Sequence, residues 1–285
     1  MSTQEQYHDS AEKHVSGESV YINDIDGGSR MLHGYVLYSK LAHAKINSID
    51  VSKAKAFEGV HAVLTANDIP GQNQMGPVVH DEVCLANNEV TFVGQAIALI
   101  AAENENIARN AANLIKIDFE ELPAILTLDE AIEKGEMIGT PRIIERGNIK
   151  EGLANSRHRL KGTLITGAQE HWYLETQSCL CVPGEHKEMN VFSSTQHPSE
   201  TQAIVAEVLG VPRNEVVVEI RRMGGAFGGK ETQANHVAAW SALLAYHTKK
   251  PVKIHLFRDD DQIMTGKRHP FKSTYEIGFD DDGRI

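Results

Sequence analysis

The segment Thr91–Ala101 (TFVGQAIALIA) is a nearly unbroken apolar run, too short for a membrane span and suited to a strand covered on both faces. From Glu103 to Leu114 the spacing switches to helical, with Ile107, Ala111 and Leu114 on one stripe, and Ile115–Phe119 returns to alternation. This predicts a strand–helix–strand crossover closed by Leu122-Pro123. A second crossover is predicted further on. Met189–Ser193 reads as a strand, Ser199 as a helix cap, Ile204, Val205, Val208 and Leu209 as the helix's apolar face, and Gly210 as its stop. Glu215–Ile220 then reads as a buried strand.

Between these blocks the pattern is less regular. Residues 1–13 read as a polar tail, and His14–Leu37 as short strands joined by turns. INSIDVSKAKAFEGVHAVLT predicts a strand, a short helix with Ala54 and Phe57 inward, and another strand. Residues 127–155 predict a short helix, Leu128 to Lys134, followed by a glycine-containing linker. Arg157–Thr166 and Ser178–Val182 predict strands, Glu231 to about Tyr246 a helix with Val237, Trp240 and Leu244 inward, and VKIHLF a strand after Pro251. At the end, Phe271, Ser273, Tyr275, Ile277 and Phe279 share one strand face before a turn at Asp280–Gly283. A hairpin with one arm leaves an open edge and an uncovered apolar face, so the chain reads as the front part of a longer protein.

Composition excludes several functions. Lys and Arg number 28 against 39 Asp and Glu, a net charge of −11, which argues against a general nucleic-acid binder. With 41% hydrophobic and 24% charged residues the chain has the mixture of a folded globular protein. Cys84, Cys179 and Cys181 are too few to staple it, and with a polar N-terminus they point to a reducing, cytoplasmic setting without membrane contact. The spacing of Cys179 and Cys181 puts both on one strand face, as core residues.

Two segments carry chemistry. Residues 224–230, Gly-Gly-Ala-Phe-Gly-Gly-Lys, lie between a predicted strand and a predicted helix, where glycines let backbone amides approach an anionic or polar ligand. Gly224, Gly229 and Lys230 also spell G-x-x-x-x-G-K, but Glu231 stands where a phosphate-binding loop needs Ser or Thr, so a nucleotide-binding protein is a weak alternative. Glu231 itself admits two readings, an acid complementing a helix N-terminus or a carboxylate beside a ligand. The second segment, Gly167-Ala168-Gln169-Glu170-His171-Trp172-Tyr173-Leu174-Glu175, packs amide, acid, imidazole and indole together. No H-E-x-x-H or G-x-S-x-G occurs.

GAQEHWYLET followed by RRMGGAFGGKET resembles the molybdenum-binding part of the xanthine dehydrogenase and aldehyde oxidase family. MTGKRHPF (Met264 to Phe271) is similar to the molybdenum-binding subunits of its bacterial xanthine dehydrogenase branch. GESVYINDI, SKLAHAKINSID and VGQAIALIAAENENIARNAANLIKIDFEELPAI resemble the α/β hammerhead domain that precedes the cofactor domain there. The resemblance implies an α+β protein: a hammerhead domain over 14–126, a linker over 127–155, and the first, incomplete part of a molybdopterin-binding domain over 156–285.

By the same resemblance, Gln169 matches a glutamine whose amide hydrogen-bonds a molybdenum ligand. Phe227 matches the position whose backbone amide approaches the metal's oxo group, with Gly225 and Gly228 admitting the cofactor. Glu231 matches the catalytic-site glutamate that contacts a purine. The implied activity is hydroxylation of hypoxanthine or xanthine with oxygen from water, as in purine catabolism. Electrons pass to iron–sulfur clusters and FAD, whose motifs are absent here and are expected on a partner subunit or domain. The family's base glutamate and substrate-positioning arginine lie in later motifs that this sequence lacks. A remaining C-terminal part of the molybdenum subunit is therefore a further expected partner, and a catalytically incomplete partner-binding fragment is the main alternative.

Overall fold

A computed structural model describes residues 8–285. The predicted tail lies partly outside them, and its described end is helical, α1 (Ala11–Ser16), closed by Gly17 in the left-handed conformation. His14–Leu37 is less strand-rich than its alternation predicts, because β1 is confined to Leu32–Tyr38. The chain forms two compact units, one of residues up to Leu122 with His171–Gly266, the other of Pro123–Glu170 with Lys267–Ile285.

The first unit is built on a seven-stranded sheet whose strands come from both halves of the sequence. Besides β1 it contains β3 (Val60–Leu64), β5 (Ala96–Ala102), β8 (Ser178–Pro183), β9 (Met189–Ser193), β10 (Val216–Glu219) and β11 (Val252–His255), in the order β10-β9-β8-β11-β1-β5-β3. The join between halves is the parallel pair β1–β11, with Leu32 opposite Val252. Every residue of β5 is buried, as its apolar run predicts. The strand starts at Ala96 rather than Thr91, because Gly94 (φ 98°) turns against the Ile263 carbonyl and the Gln95 side chain accepts from the Thr91 amide at 2.7 Å.

The two predicted crossovers diverge. β9, α6 (Pro198–Leu209) and β10 form one: the strands pair in parallel, and Ile204, Val205, Val208 and Leu209 are buried. Gly210 closes the helix as predicted, while its N-cap is His197 and Pro198 fills the first turn, so Ser199 is not the cap. The first predicted crossover is corrected. β5 already pairs with β1 and β3, so after α3 (Glu105–Ala112) neither of its edges is free for β6 (Lys116–Glu121). β6 instead pairs antiparallel with β2 (Ala44–Asp50), which also pairs with β4 (Glu89–Val90), and together they cover a small core of Ala44, Ala86, Val90 and Ile97. The short helix α2 (Ser52–Lys55) joins β2 to β3 and buries Ala54 as expected.

The helix after the glycine loop, α7 (Ala234–Thr248), starts three residues later than predicted. It is buried nearly all round, including Val237, Trp240 and Leu244, as befits an apolar helix between sheet and α6. Cys179 and Cys181 are fully buried in the same core, their sulfurs 3.7 Å apart, and burial pushes the Cys181 thiol's pKa up. The last helix of this unit is α8 (Arg258–Met264). No helix among the described residues is long and apolar enough to cross a membrane.

The second unit pairs β7 (His158–Thr166) with β12 (Phe271–Phe279) in a nine-residue antiparallel ribbon, accompanied by α4 (Leu128–Lys134) and α5 (Ile149–Asn155). α4 spans the predicted residues: Thr127 caps it through the Glu130 amide and Gly135 ends it.

Candidate active site around the glycine loop

His171, Tyr173 and Glu175 form the floor of the glycine loop, on an irregular segment in which Trp172 is left-handed at φ 53°. A Cβ on Gly224 would lie 2.6 Å from Glu175 Cβ, and one on Gly229 2.7 Å from His171 Cγ and 2.8 Å from Tyr173 Cε1. At Gly225 it would meet Tyr173 Cβ at 3.2 Å, and φ there is 92°. The two segments singled out in the sequence are thus two faces of one contact, and the glycines are required by close approach as much as by dihedral angle.

Beneath the loop lies a buried polar network. Glu175 Oε2 accepts from the Gly224 amide (2.8 Å), Ser194 Oγ (2.7 Å) and Lys230 Nζ (3.0 Å). Lys230 is fully buried, also donates to Ser194 Oγ at 2.8 Å, and has its ammonium 4.7 Å from the centre of the Tyr173 ring. Burial lowers the Lys230 pKa, and the Glu175 charge opposes that shift. Tyr173 donates from its hydroxyl to Asp261 on α8 at 2.7 Å, and the other Asp261 oxygen accepts from the Gln177 amide at 2.7 Å. Gln177 in turn donates through Nε2 to the Gly229 carbonyl at 2.9 Å. Burial and the Asp261 carboxylate push the Tyr173 pKa up.

This network overturns the phosphate-loop spelling. A lysine with no solvent exposure and an ion pair to Glu175 is not available to a triphosphate.

Above the floor the loop is open. Gln196 Oε1 accepts from the amides of Gly228 (3.0 Å) and Lys230 (3.3 Å), and the Gly229 amide turns back to the Ala226 carbonyl at 2.8 Å. Among the described residues no partner takes the amides of Gly225, Ala226 and Phe227. Phe227 is 75% exposed and non-glycine at φ 54°, and Gly228 follows at φ 91°. A non-glycine residue held in the left-handed region is sterically unfavourable and is found where surrounding structure imposes it.

Glu231 is exposed, and among the described residues no hydrogen bond or ion pair holds its carboxylate. Because α7 begins at Ala234 and has no acid in its first turn, Glu231 does not serve as that helix's dipole complement.

Gln169 belongs to the second unit. Its backbone amide and carbonyl pair with Arg268 at 3.1 and 3.0 Å, which ties the Gln169 segment to the Met264–Phe271 motif. Arg268 also donates to the Gly167 carbonyl at 2.8 Å, and Glu170 and Lys267 form an ion pair at 2.7 Å. The Gln169 side chain is exposed and has no protein hydrogen bond among the described residues.

Of the residues singled out in the sequence, Gly225, Phe227, Gly228 and Glu231 share the open loop, while Gln169 is held separately by Arg268. Sequence reasoning missed Glu175, Gln177, Gln196 and Asp261 as parts of the loop's support. No periodicity signals Glu175, because the segment carrying it bends and is left-handed at Trp172.

Residues 16–123 match the aldehyde oxidase and xanthine dehydrogenase a/b hammerhead domain, and residues 134–285 the molybdopterin cofactor-binding domain. The chain is 44% identical over 99% of its length to a xanthine dehydrogenase of Dictyostelium discoideum, and 43% identical over 98% to a xanthine dehydrogenase/oxidase of Mus musculus. It spans about a fifth of each, 21%. Among solved structures, the aldehyde oxidoreductase of Desulfovibrio gigas superposes on 96% of the chain with a TM-score of 0.86 at 26% identity, the chain covering 32% of it. The quinoline 2-oxidoreductase of Pseudomonas putida 86 superposes on 97% with a TM-score of 0.84 at 27% identity, with 37% of that structure covered. A hammerhead domain leading into a molybdopterin-binding domain, with the glycine loop at the heart of the second, places this chain in the aldehyde oxidase and xanthine dehydrogenase family.

Proposed function

We propose that the chain forms part of a molybdenum hydroxylase that oxidises hypoxanthine or xanthine. The observation that carries this reading is the run of amides at Gly225, Ala226 and Phe227, unpaired among the described residues on a loop whose other amides are bonded within the protein. That donor set, beside open space at Gly228 where a Cβ would meet nothing within 4 Å, fits an electron-rich, oxygen-bearing group such as the cofactor. When bound, the molybdopterin cofactor supplies two-electron oxidation of an electron-poor carbon, with water as the oxygen source.

This chain's own residues hold and orient. Gly225 and Gly228 would admit the cofactor, the Phe227 amide would donate toward it, and the side-chain amide of Gln169 would donate a hydrogen bond to it. Glu231 accepts a hydrogen bond from a purine N–H and so holds the ring in place as charge shifts onto it. Electrons leave to iron–sulfur and flavin centres on a partner subunit or domain, and the remaining C-terminal part of the molybdenum subunit supplies the proton-accepting base. A cytoplasmic setting and a role in purine catabolism go with this reading.

The test is Gln169→Ala in the cofactor-loaded protein assembled with its electron-transfer partner. Turnover should fall while the melting temperature stays put, because the exposed amide supports no core. An unchanged rate would remove Gln169 from the site.

A further inference from the structure

One carboxylate oxygen reaches both ends of the glycine loop. Glu175 Oε2 accepts the backbone amide of Gly224, the loop's first residue, and the ammonium of Lys230, its last. The same two chain segments are joined again by the Glu175 amide, which donates to the Gly224 carbonyl at 3.0 Å. Lys230 comes immediately before Glu231 and is wholly buried, so its anchored side chain sets where the backbone emerges toward Glu231. Gly224, Gly225 and Gly229 have no room to move closer to the floor, which leaves the tip to bow outward. Burying an ammonium is unfavourable unless it is paired, and a methionine would fill the same space, so shape alone does not explain the lysine.

We infer that Glu175 and Lys230 are positioning residues, a charged latch that closes the two ends of loop 224–230 and so presents the Gly225–Phe227 amides and the adjoining Glu231 carboxylate to their ligand. The latch rests on the reading of this loop as the cofactor and substrate site, but its effect on loop shape is measurable without either.

The experiment compares Lys230→Met with the double variant Glu175→Gln/Lys230→Met in the full chain. The single variant leaves a buried carboxylate without its counter-charge, so it loses thermal stability. The double variant removes both charges at nearly constant volume and regains most of that stability. Hydrogen exchange of the bonded loop amides, Gly224 and Gly228 to Glu231, in the cofactor-free protein is the direct readout. In the double variant it should run on the order of ten- to hundredfold faster than in wild type, the factor for one lost charge-assisted hydrogen bond. Exchange in β8 and α7 should stay unchanged. Molybdenum and pterin retained per protein after gel filtration should fall in parallel, with Lys230→Arg retaining more than Lys230→Met.

Wild-type exchange in the loop of a stably folded double variant would overturn the latch. So would fast exchange with full cofactor retention. If wild-type protein retained no cofactor at all, the proposed function would fail, and the exchange comparison alone would decide whether the latch exists.

Discussion

The floor and the rim of the glycine loop follow opposite rules. On the floor, His171, Tyr173 and Glu175 press against glycines with no room for a methyl group, and Lys230, Gln177 and Asp261 are buried and hydrogen-bonded. At the rim, Phe227 is exposed in a left-handed conformation, and among the described residues three consecutive amides and the Glu231 carboxylate lack partners. The contrast separates two jobs. Floor residues determine shape and should reveal themselves in stability, whereas rim residues meet ligand and should reveal themselves in kinetics.

Substitutions can break that division, starting where the effect should be largest. Lys230→Ala strands a buried Glu175 carboxylate and should cost about 3–5 kcal/mol, read by denaturant unfolding. A smaller loss, about 1.5–3 kcal/mol, is expected for Tyr173→Phe, which removes the hydroxyl that donates to Asp261. Gly229→Ala forces a methyl group into the His171 and Tyr173 rings and should cost about 1–3 kcal/mol. If any of the three left stability untouched, the floor would be less tightly built than its geometry states.

The sequence-to-structure record divides along a similar line. Local rules located the short elements: α4 runs from Leu128 to Lys134 because Thr127 and Gly135 cap it, and Gly210 stops α6. The glycine loop was legible because four glycines in six positions have few other uses. Partner choice was not legible. The patterns leading to β6 and β10 look alike, yet β10 finds a free edge on β9, whereas β5 is already flanked by β1 and β3. Likewise nothing in either half signals the β1–β11 pairing, which carries one sheet across the expected linker at 127–155. Cleavage within that exposed stretch should therefore leave the pieces before and after it associated through β1 and β11, as gel filtration of the nicked chain would show. The Glu175–Lys230 pair was hidden for the same reason, since its members are 55 positions apart.

At the rim the expected stability change is the smallest, and the kinetic one decides. Glu231→Gln should alter stability by no more than about 0.5 kcal/mol, as for a surface residue whose side chain has no partner among the described residues. The direct measurement is kcat/KM of this variant, in the cofactor-loaded protein with its electron-transfer partner, on xanthine and on an aldehyde. The account predicts a loss of roughly ten- to hundredfold on xanthine, worth one charged hydrogen bond in the transition state, and a much smaller loss on the aldehyde, which lacks the purine's polar edge. Equal losses on both substrates, or a change confined to melting temperature, would contradict it.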